Sequence, residues 1–263
     1  MADDPLPIDL TRQVRAHLES LRTAGVMFVP RGEPIALAPL RVAATPREAT
    51  APPPPPPDPV VVRKRELTVL AAEVEKCDRC PELFSTRRQT VFGVGPIDPD
   101  VAFIGEAPGG DEDRAGEPFV GKAGQLLTRI LNGCGFKRDE VYIFNTLKCR
   151  PPGTAGSGSA NRPPTLEECE NCRPFFERQF DIVKPKHVVA LGGTAAKNLL
   201  NTSTGITKLR GKVYTLRGVP LICTFHPSAM LRDETEKTRR AIWEDMKLLL
   251  KTMGRPNPNE KKA

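Results

Sequence analysis

Three groups of residues in this chain have the types and spacing to do chemistry. The first is a set of thiols. Cys77-Asp78-Arg79-Cys80 and Cys169-Glu170-Asn171-Cys172 are C-x-x-C pairs, and Cys149 stands between them in Lys148-Cys149-Arg150-Pro151-Pro152. Clustered thiolates select zinc or iron–sulfur centres. Cys77, Cys80, Cys169 and Cys172 would form two symmetrical zinc knuckles. Cys77, Cys80, Cys149 and one of the last pair would hold a [4Fe–4S] cluster. Spacing alone leaves both open. Cys134 and Cys223 sit among apolar residues and read as small hydrophobes. The second group is Gly105-Glu106-Ala107-Pro108-Gly109-Gly110, a small-residue loop with one carboxylate directly behind the apolar run Val101–Ile104. The third is a set of polar residues that end other apolar runs: Asn145, Gly192-Gly193 and His226.

A strand that breaks into a glycine-rich loop and then a helix is the layout of a ligand site at the carboxyl end of a parallel strand. The loop carries no G-x-G-x-x-G, and Lys122 lacks the glycine spacing of a P-loop, so neither a dinucleotide nor a P-loop nucleotide is indicated. Strands are predicted at Val101–Ile104, Val141–Asn145, His187–Leu191 and Leu221–Phe225. Helices are predicted at Leu67–Lys76, Gln125–Asn132, Thr165–Ile182, Thr194–Leu200 and Arg239–Met253. The alternation gives an α/β fold, a three-layer α/β/α arrangement around a four-stranded, mostly parallel sheet. All four strand tips then face one crevice.

Residues 1–65 differ from the rest. Leu10, Val14, Leu18 and Leu21 fit one face of a short helix. From Pro30 to Pro59 the chain is proline-rich, with six prolines at Pro52–Pro57, which form polyproline II or open coil rather than a core. The expected organisation is a disordered proline-rich tail and linker over 1–65, one domain over 66–253, and a disordered C-terminal tail over 254–263. Thr154–Asn161 reads as a flexible surface insertion. Net charge is +7, which favours a polyanionic partner. No apolar run reaches the length of about 18 residues needed to span a membrane. The acidic start Met1-Ala2-Asp3-Asp4 is not that of a secretory signal. A cytoplasmic, reducing setting is expected, and there seven cysteines mean free thiols or metal ligands before disulfides.

Four segments in order resemble the uracil-DNA glycosylases of the family-4, iron–sulfur type. They are Gly105-Glu106-Ala107-Pro108-Gly109, Pro118-Phe119-Val120-Gly121, Asn145-Thr146-Leu147-Lys148-Cys149-Arg150-Pro151-Pro152 and His226-Pro227-Ser228-Ala229-Met230-Leu231-Arg232. The resemblance covers about residues 66–251. It implies a uracil-DNA glycosylase-like sheet and a [4Fe–4S] cluster held by Cys77, Cys80, Cys149 and Cys172, with Cys169 spare. It also implies a monofunctional hydrolase that removes uracil from single- and double-stranded DNA after cytosine deamination, acting as a monomer.

A flipped base must leave the stack at a cost of a few kcal/mol, and the motifs answer the needs that follow. Phe119 offers an apolar platform for the ring. The Asn145 amide can accept from uracil N3–H and donate to O4, which cytosine would leave mispaired. His226 can donate to O2, where negative charge develops as the glycosidic bond breaks. The resemblance implies that Gly105, Glu106 and Ala107 line the uracil site and that Glu106 holds the attacking water. Related glycosylase families carry an Asp one place on, where this chain has Ala107. Glu112 matches the family residue that crowds the 5-methyl of thymine. Met230 or Leu231 would enter the stack as a wedge, while Ser228 and Arg232 contact phosphates. Lys122, Lys148, Arg150 and Arg210 are further phosphate candidates. The alternative is a non-catalytic iron–sulfur protein that binds uracil or DNA. Its covalent form would need a His between Arg150 and Arg162, and there is none.

Overall fold

The computed structural model describes residues 10–28, 57–153, 161–232 and 236–259. Most of the proline run (52–56), most of the insertion (154–160) and the last four residues (260–263) lie outside the described residues. The chain divides into two units, Met1–Pro54 and Pro55–Ala263. In the first, α1 (Leu10–Thr23) leaves Val14 and Leu18 half exposed, so the expected apolar face is present.

The second unit is built on five strands: β1 (Ala102–Gly105), β2 (Tyr142–Asn145), β3 (Val188–Leu191), β4 (Val213–Leu216) and β5 (Val219–Thr224). Their order is β2-β1-β3-β5-β4. The four expected strands are parallel to one another, and β4 is an antiparallel edge strand beside β5. The sequence reading of four strands is therefore short by one. The missing signal was Arg217-Gly218. Both residues have positive φ, 48° and 85°, the backbone of the two-residue turn that suits a tight hairpin. Arg is a rare choice there, and β4 is largely exposed, so its apolar pattern is weak.

The helices cover both faces. Strand residues alternate sides. Phe103, Ile143, Val189 and Ile222 pack with Leu127 and Leu131 of α5 (Lys122–Gly133) and Met246 and Leu249 of α10 (Glu236–Thr252). Ile104, Phe144, Val188 and Leu221 pack on the other side with Phe176 and Phe180 of α6 (Leu166–Val183) and Ala196 of α7 (Gly193–Leu200). This is the expected α/β/α layering. Helix α2 (Pro59–Glu75) begins eight residues before the expected start at Leu67. Val60-Val61-Val62 has no helical period, but Pro59 occupies the first helical position and the Asp58 side chain accepts from the Val60 amide at 2.8 Å, which is how such helices begin. The short helices α3 (Pro81–Thr86), α4 (Gly110–Ala115), α8 (Ile206–Leu209) and α9 (Ala229–Arg232) are too brief to show a period. Cys134 and Cys223 are buried in the two cores.

The end of β5 is fastened by a buried carboxylate. Asp245 of α10, 1% exposed, accepts from Thr224 Oγ1 at 2.7 Å, Arg210 Nε at 3.0 Å and the Gly211 amide at 3.1 Å. Arg210, a phosphate candidate by sequence, is thus committed to this tie. Asp245→Ala strands three donors, and a loss of about 2–4 kcal/mol is expected, read as a thermal midpoint lower by several degrees.

Candidate active site

The site begins with a glycine. In the parallel pairing of β1 and β2, Gly105 lies opposite Asn145. A Cβ on Gly105 would stand 2.2 Å from Asn145 Oδ1 and 2.7 Å from Phe119 Cζ. Only glycine lets the amide and the ring meet over the tip of β1. Asn145 is 2% exposed, and among the described residues its Oδ1 is a buried side-chain acceptor with no hydrogen-bond partner. Buried polar atoms are nearly always paired, so an unpaired one in a cavity wall marks a position waiting for a donor. The cavity, about 220 Å³, is lined by Ala107, Gly109, Glu112, Phe119, Ala123, Asn145, Asn161, His226 and Ser228.

Phe119 is held in a conformation that phenylalanine rarely adopts, with φ at 54°. Three contacts account for it. Arg138 Nη2 donates to the Pro118 carbonyl at 2.6 Å. The Glu112 carboxylate accepts from the Val120 and Gly121 amides, each at 3.0 Å, and from the Gly109 amide at 3.0 Å. Gly124 lies so close that a Cβ there would stand 1.8 Å from the Phe119 carbonyl oxygen. Glu112 therefore buckles the two loops that flank the cavity as well as lining it. The Phe119 ring faces the His226 ring, with centroids 5.6 Å apart and planes at 30°.

His226 follows β5, yet the cavity lies over β1 and β2, and β3 stands between. The chain crosses that gap over Gly192, whose φ is 97° and whose missing Cβ would be 3.0 Å from His226 Cβ. The ring is fixed by its neighbour. The Ser228 amide donates to Nδ1 at 3.1 Å, and Ser228 Oγ lies 2.8 Å from the same nitrogen. A backbone N–H can only donate, so Nδ1 is the acceptor, and the neutral ring carries its proton on Nε2. Ser228 thus orients His226, with its hydroxyl turned to the ring.

Glu106 lies in an adjoining cavity that shares Ala107, Asn161, His226 and Ser228 with the first and adds Gly192, Gly193, Thr194 and Lys197. Burial pushes its carboxyl above the usual range, and a hydrogen bond from Thr194 opposes the shift. Asn161 was not identified from sequence. Its Oδ1 accepts from Arg150 Nε at 2.7 Å, and Pro152 and Asn161 bridge the ends of the insertion. The insertion separates Asn161 from Pro152 in sequence and hides the relation. On α9, Met230 packs partly against the core while Leu231 is 48% exposed. Arg232 lies on the same helix, its side chain outside the described residues. Lys148 is fully buried, and burial pushes its ammonium down to about 7. It cannot reach a phosphate, which corrects the sequence reading.

Cys77, Cys80, Cys149 and Cys172 line a second, small cavity with Leu83, Arg87, Leu147 and Phe175. Cys169 is turned elsewhere and accepts from Asn198 Nδ2 at 3.2 Å. Burial raises the Cys80 and Cys149 thiols and pushes Cys172 up to about 12. Donors are nonetheless aimed at the sulfurs: Arg87 Nη1 reaches Cys149 Sγ at 3.1 Å and Asn171 Nδ2 reaches Cys80 Sγ at 3.7 Å, as suits thiolates. Among the described residues no three His, Cys, Asp or Glu side chains converge on a single-ion site. The sulfurs ring a cavity instead.

The profile of the Uracil DNA glycosylase superfamily matches residues 92–247, and the chain belongs to that superfamily. Within it, the similarity is to type-4 enzymes. The type-4 uracil-DNA glycosylase of Thermotoga maritima is 41% identical over 186 residues, covering 70% of this chain and 93% of that protein. The type-4 uracil-DNA glycosylase of Archaeoglobus fulgidus is 40% identical over 188 residues, 66% of this chain and 90% of that protein. A type-5 uracil-DNA glycosylase of Pyrobaculum aerophilum is 31% identical over 189 residues.

The packing of Gly124 against Phe119 gives a direct test. Gly124→Ala forces the loop off α5, and a destabilisation of about 1–3 kcal/mol is expected. It should come with a change in the His226 ring resonances, as the Phe119 ring leaves its place.

Proposed function

We propose that this chain is a uracil-DNA glycosylase that draws uracil out of the DNA stack and hydrolyses its N-glycosidic bond, the first step in repairing deaminated cytosine. The observation that carries the reading is the buried, unpartnered Oδ1 of Asn145 in the wall of a cavity that the Phe119 and His226 side chains also line. Uracil presents a donor at N3 flanked by carbonyl oxygens at O2 and O4. Asn145 Oδ1 accepts from N3–H and its Nδ2 donates to O4. Cytosine has an acceptor at N3 and an amine at position 4, so it leaves the amide wholly mispaired, and sites of this kind discriminate steeply. Phe119 stacks on the ring.

As the bond lengthens, charge moves onto the base. His226, neutral with its proton on Nε2, donates to O2 and stabilises the departing anion. Glu106, in the adjoining cavity, holds the water that meets the sugar cation. Glu112 stands at the 5-position edge, where thymine carries its methyl. Leu231 is the wedge that fills the vacated place in the stack, Met230 its anchor, and Arg232 a phosphate contact. The reading implies a monomer acting on uracil-containing DNA in the cytoplasm. Among the described residues, no helix is long and apolar enough to cross a membrane.

Cys77, Cys80, Cys149 and Cys172 fit a [4Fe–4S] cluster, one thiolate per iron, since they ring a cavity and have donors aimed at their sulfurs. A cluster held by these four thiols would supply iron–thiolate bonds joining the segment after α2, the start of α3, α6 and the loop after β2. The purified protein should be brown and absorb at roughly 400 nm.

The test is a uracil-containing oligonucleotide, treated with the full chain and then alkali. Cleavage at uracil is expected in single- and double-stranded DNA. Asn145→Ala and His226→Ala should each lower the rate by about 10²–10³; binding without release would instead support the non-catalytic alternative. The acid side of the pH–rate profile reports Glu106. Because burial raises its carboxyl, the ionised form is lost, as pH falls, earlier than for an ordinary glutamate near pH 4.3. Glu106→Gln should remove that limb and lower the rate about 10²-fold or more. The folded state resists the charge more than the unfolded state does, so stability falls as pH rises through the raised value. The same substitution should therefore raise the thermal midpoint at neutral pH.

A further inference from the structure

The lysine before Cys149 takes no part in the chemistry above, yet it is among the largest fully buried side chains. Its ammonium donates to the Asn145 carbonyl at 2.8 Å, to the Phe92 carbonyl at 3.2 Å and to Gln179 Oε1. It also stands 4.9 Å from the centre of the Phe144 ring. Gln179, 0% exposed, is fixed in turn by Tyr142 Oη and the Phe92 carbonyl, both at 3.0 Å. At the other end of the same residue, the Lys148 peptide bond leads into Cys149, and Lys148 lines the four-thiol cavity together with Cys149 and Cys172.

A buried ammonium is costly, and buried charges can often be replaced by apolar groups of similar volume without loss of stability. Stability alone gives little reason for a lysine at this place. What the ammonium does that a methionine could not is donate to the main chain of the residue whose side-chain oxygen waits unpaired in the cavity wall.

We infer that Lys148 is a positioning residue that ties the Asn145 main chain to the wall of the four-thiol cavity, holding the base-reading amide at a set distance from the thiols. The inference rests on the reading of the Asn145 cavity as a uracil site. It gives the thiol cavity a route to the reaction that passes through hydrogen bonds and needs no contact with DNA.

The test uses full-length Lys148→Met as purified with its iron, and three measurements. These are inhibition by free uracil, affinity for abasic-site DNA, and iron per chain. Expected is an inhibition constant for uracil raised about tenfold, the scale of one lost charge-assisted hydrogen bond. Abasic-DNA affinity and iron content should be unchanged. In single-turnover excision, Lys148→Met should slow the unsubstituted chain but add nothing in the Asn145→Ala background, because it acts through that residue. An unchanged uracil constant, an equal further loss on top of Asn145→Ala, or a loss of iron in step with activity would each overturn the inference. If the unsubstituted chain releases no uracil, the uracil-site reading fails first, and the two failures are told apart. Should Lys148→Met not fold, Gln179→Met removes the amide that steadies the ammonium. A rise of about threefold in the uracil constant is then expected, and no rise overturns the inference.

Discussion

A carbonyl oxygen buried without a partner is a cost of about 1–3 kcal/mol, and the structure bears it at Asn145. Much of the unit can be understood as the apparatus that keeps that oxygen unpaired and still. The β1–β2 pairing sets its height, Gly105 clears the space before it, and the Lys148 ammonium holds the carbonyl behind it. An amide free to rotate or sink would find water or a backbone N–H and no longer present an open acceptor to the cavity. The oxygen stays available to a donor in the cavity because its neighbours leave it no partner of their own.

Rigidity around that point is built from short range and long range together. Glu112 is three residues into α4 and caps its start, yet it also reaches eight and nine residues on to the amides beside Phe119. Arg138, on the turn before β2, holds the other side of the same loop. His226 arrives from the far side of β3 over a glycine and is locked by its own successor, Ser228. Phe119, His226 and Asn145 are thus each braced by a neighbouring side chain: Glu112 and Arg138, Ser228, and Lys148. Such bracing is what lets a site act without reorganising as charge develops.

The two cavities divide the work. One is walled by the strand tips and small-residue loops; the other by α2, α3, α6 and the loop after β2. They share the segment from Asn145 to Cys149. Five residues therefore link the Asn145 amide in one wall to the Cys149 thiol in the other.

The sequence alone determined the α/β alternation, the two faces of the sheet, the residues at four strand tips and the loop motifs that resemble one glycosylase family. These are local facts: apolar runs, glycine clusters and residue order need no partner to be read. It did not yield the strand at Val213–Leu216, whose turn uses Arg217 in an unusual conformation and whose edge position leaves little apolar pattern. Nor did it yield the start of α2, which depends on a cap rather than a period. Lys148 and Arg210 read as phosphate ligands because a basic side chain carries no mark of burial, and only folding put one beneath Asn145 and the other beside Asp245. Asn161 was hidden by the insertion before it. Spacing alone left Cys169 and Cys172 open and the resemblance pointed to Cys172; in the fold Cys172 lines the thiol cavity and Cys169 meets Asn198. Which groups face one another across a cavity depends on sheet order and helix rotation, and those are settled by long-range packing that no local stretch of residues contains.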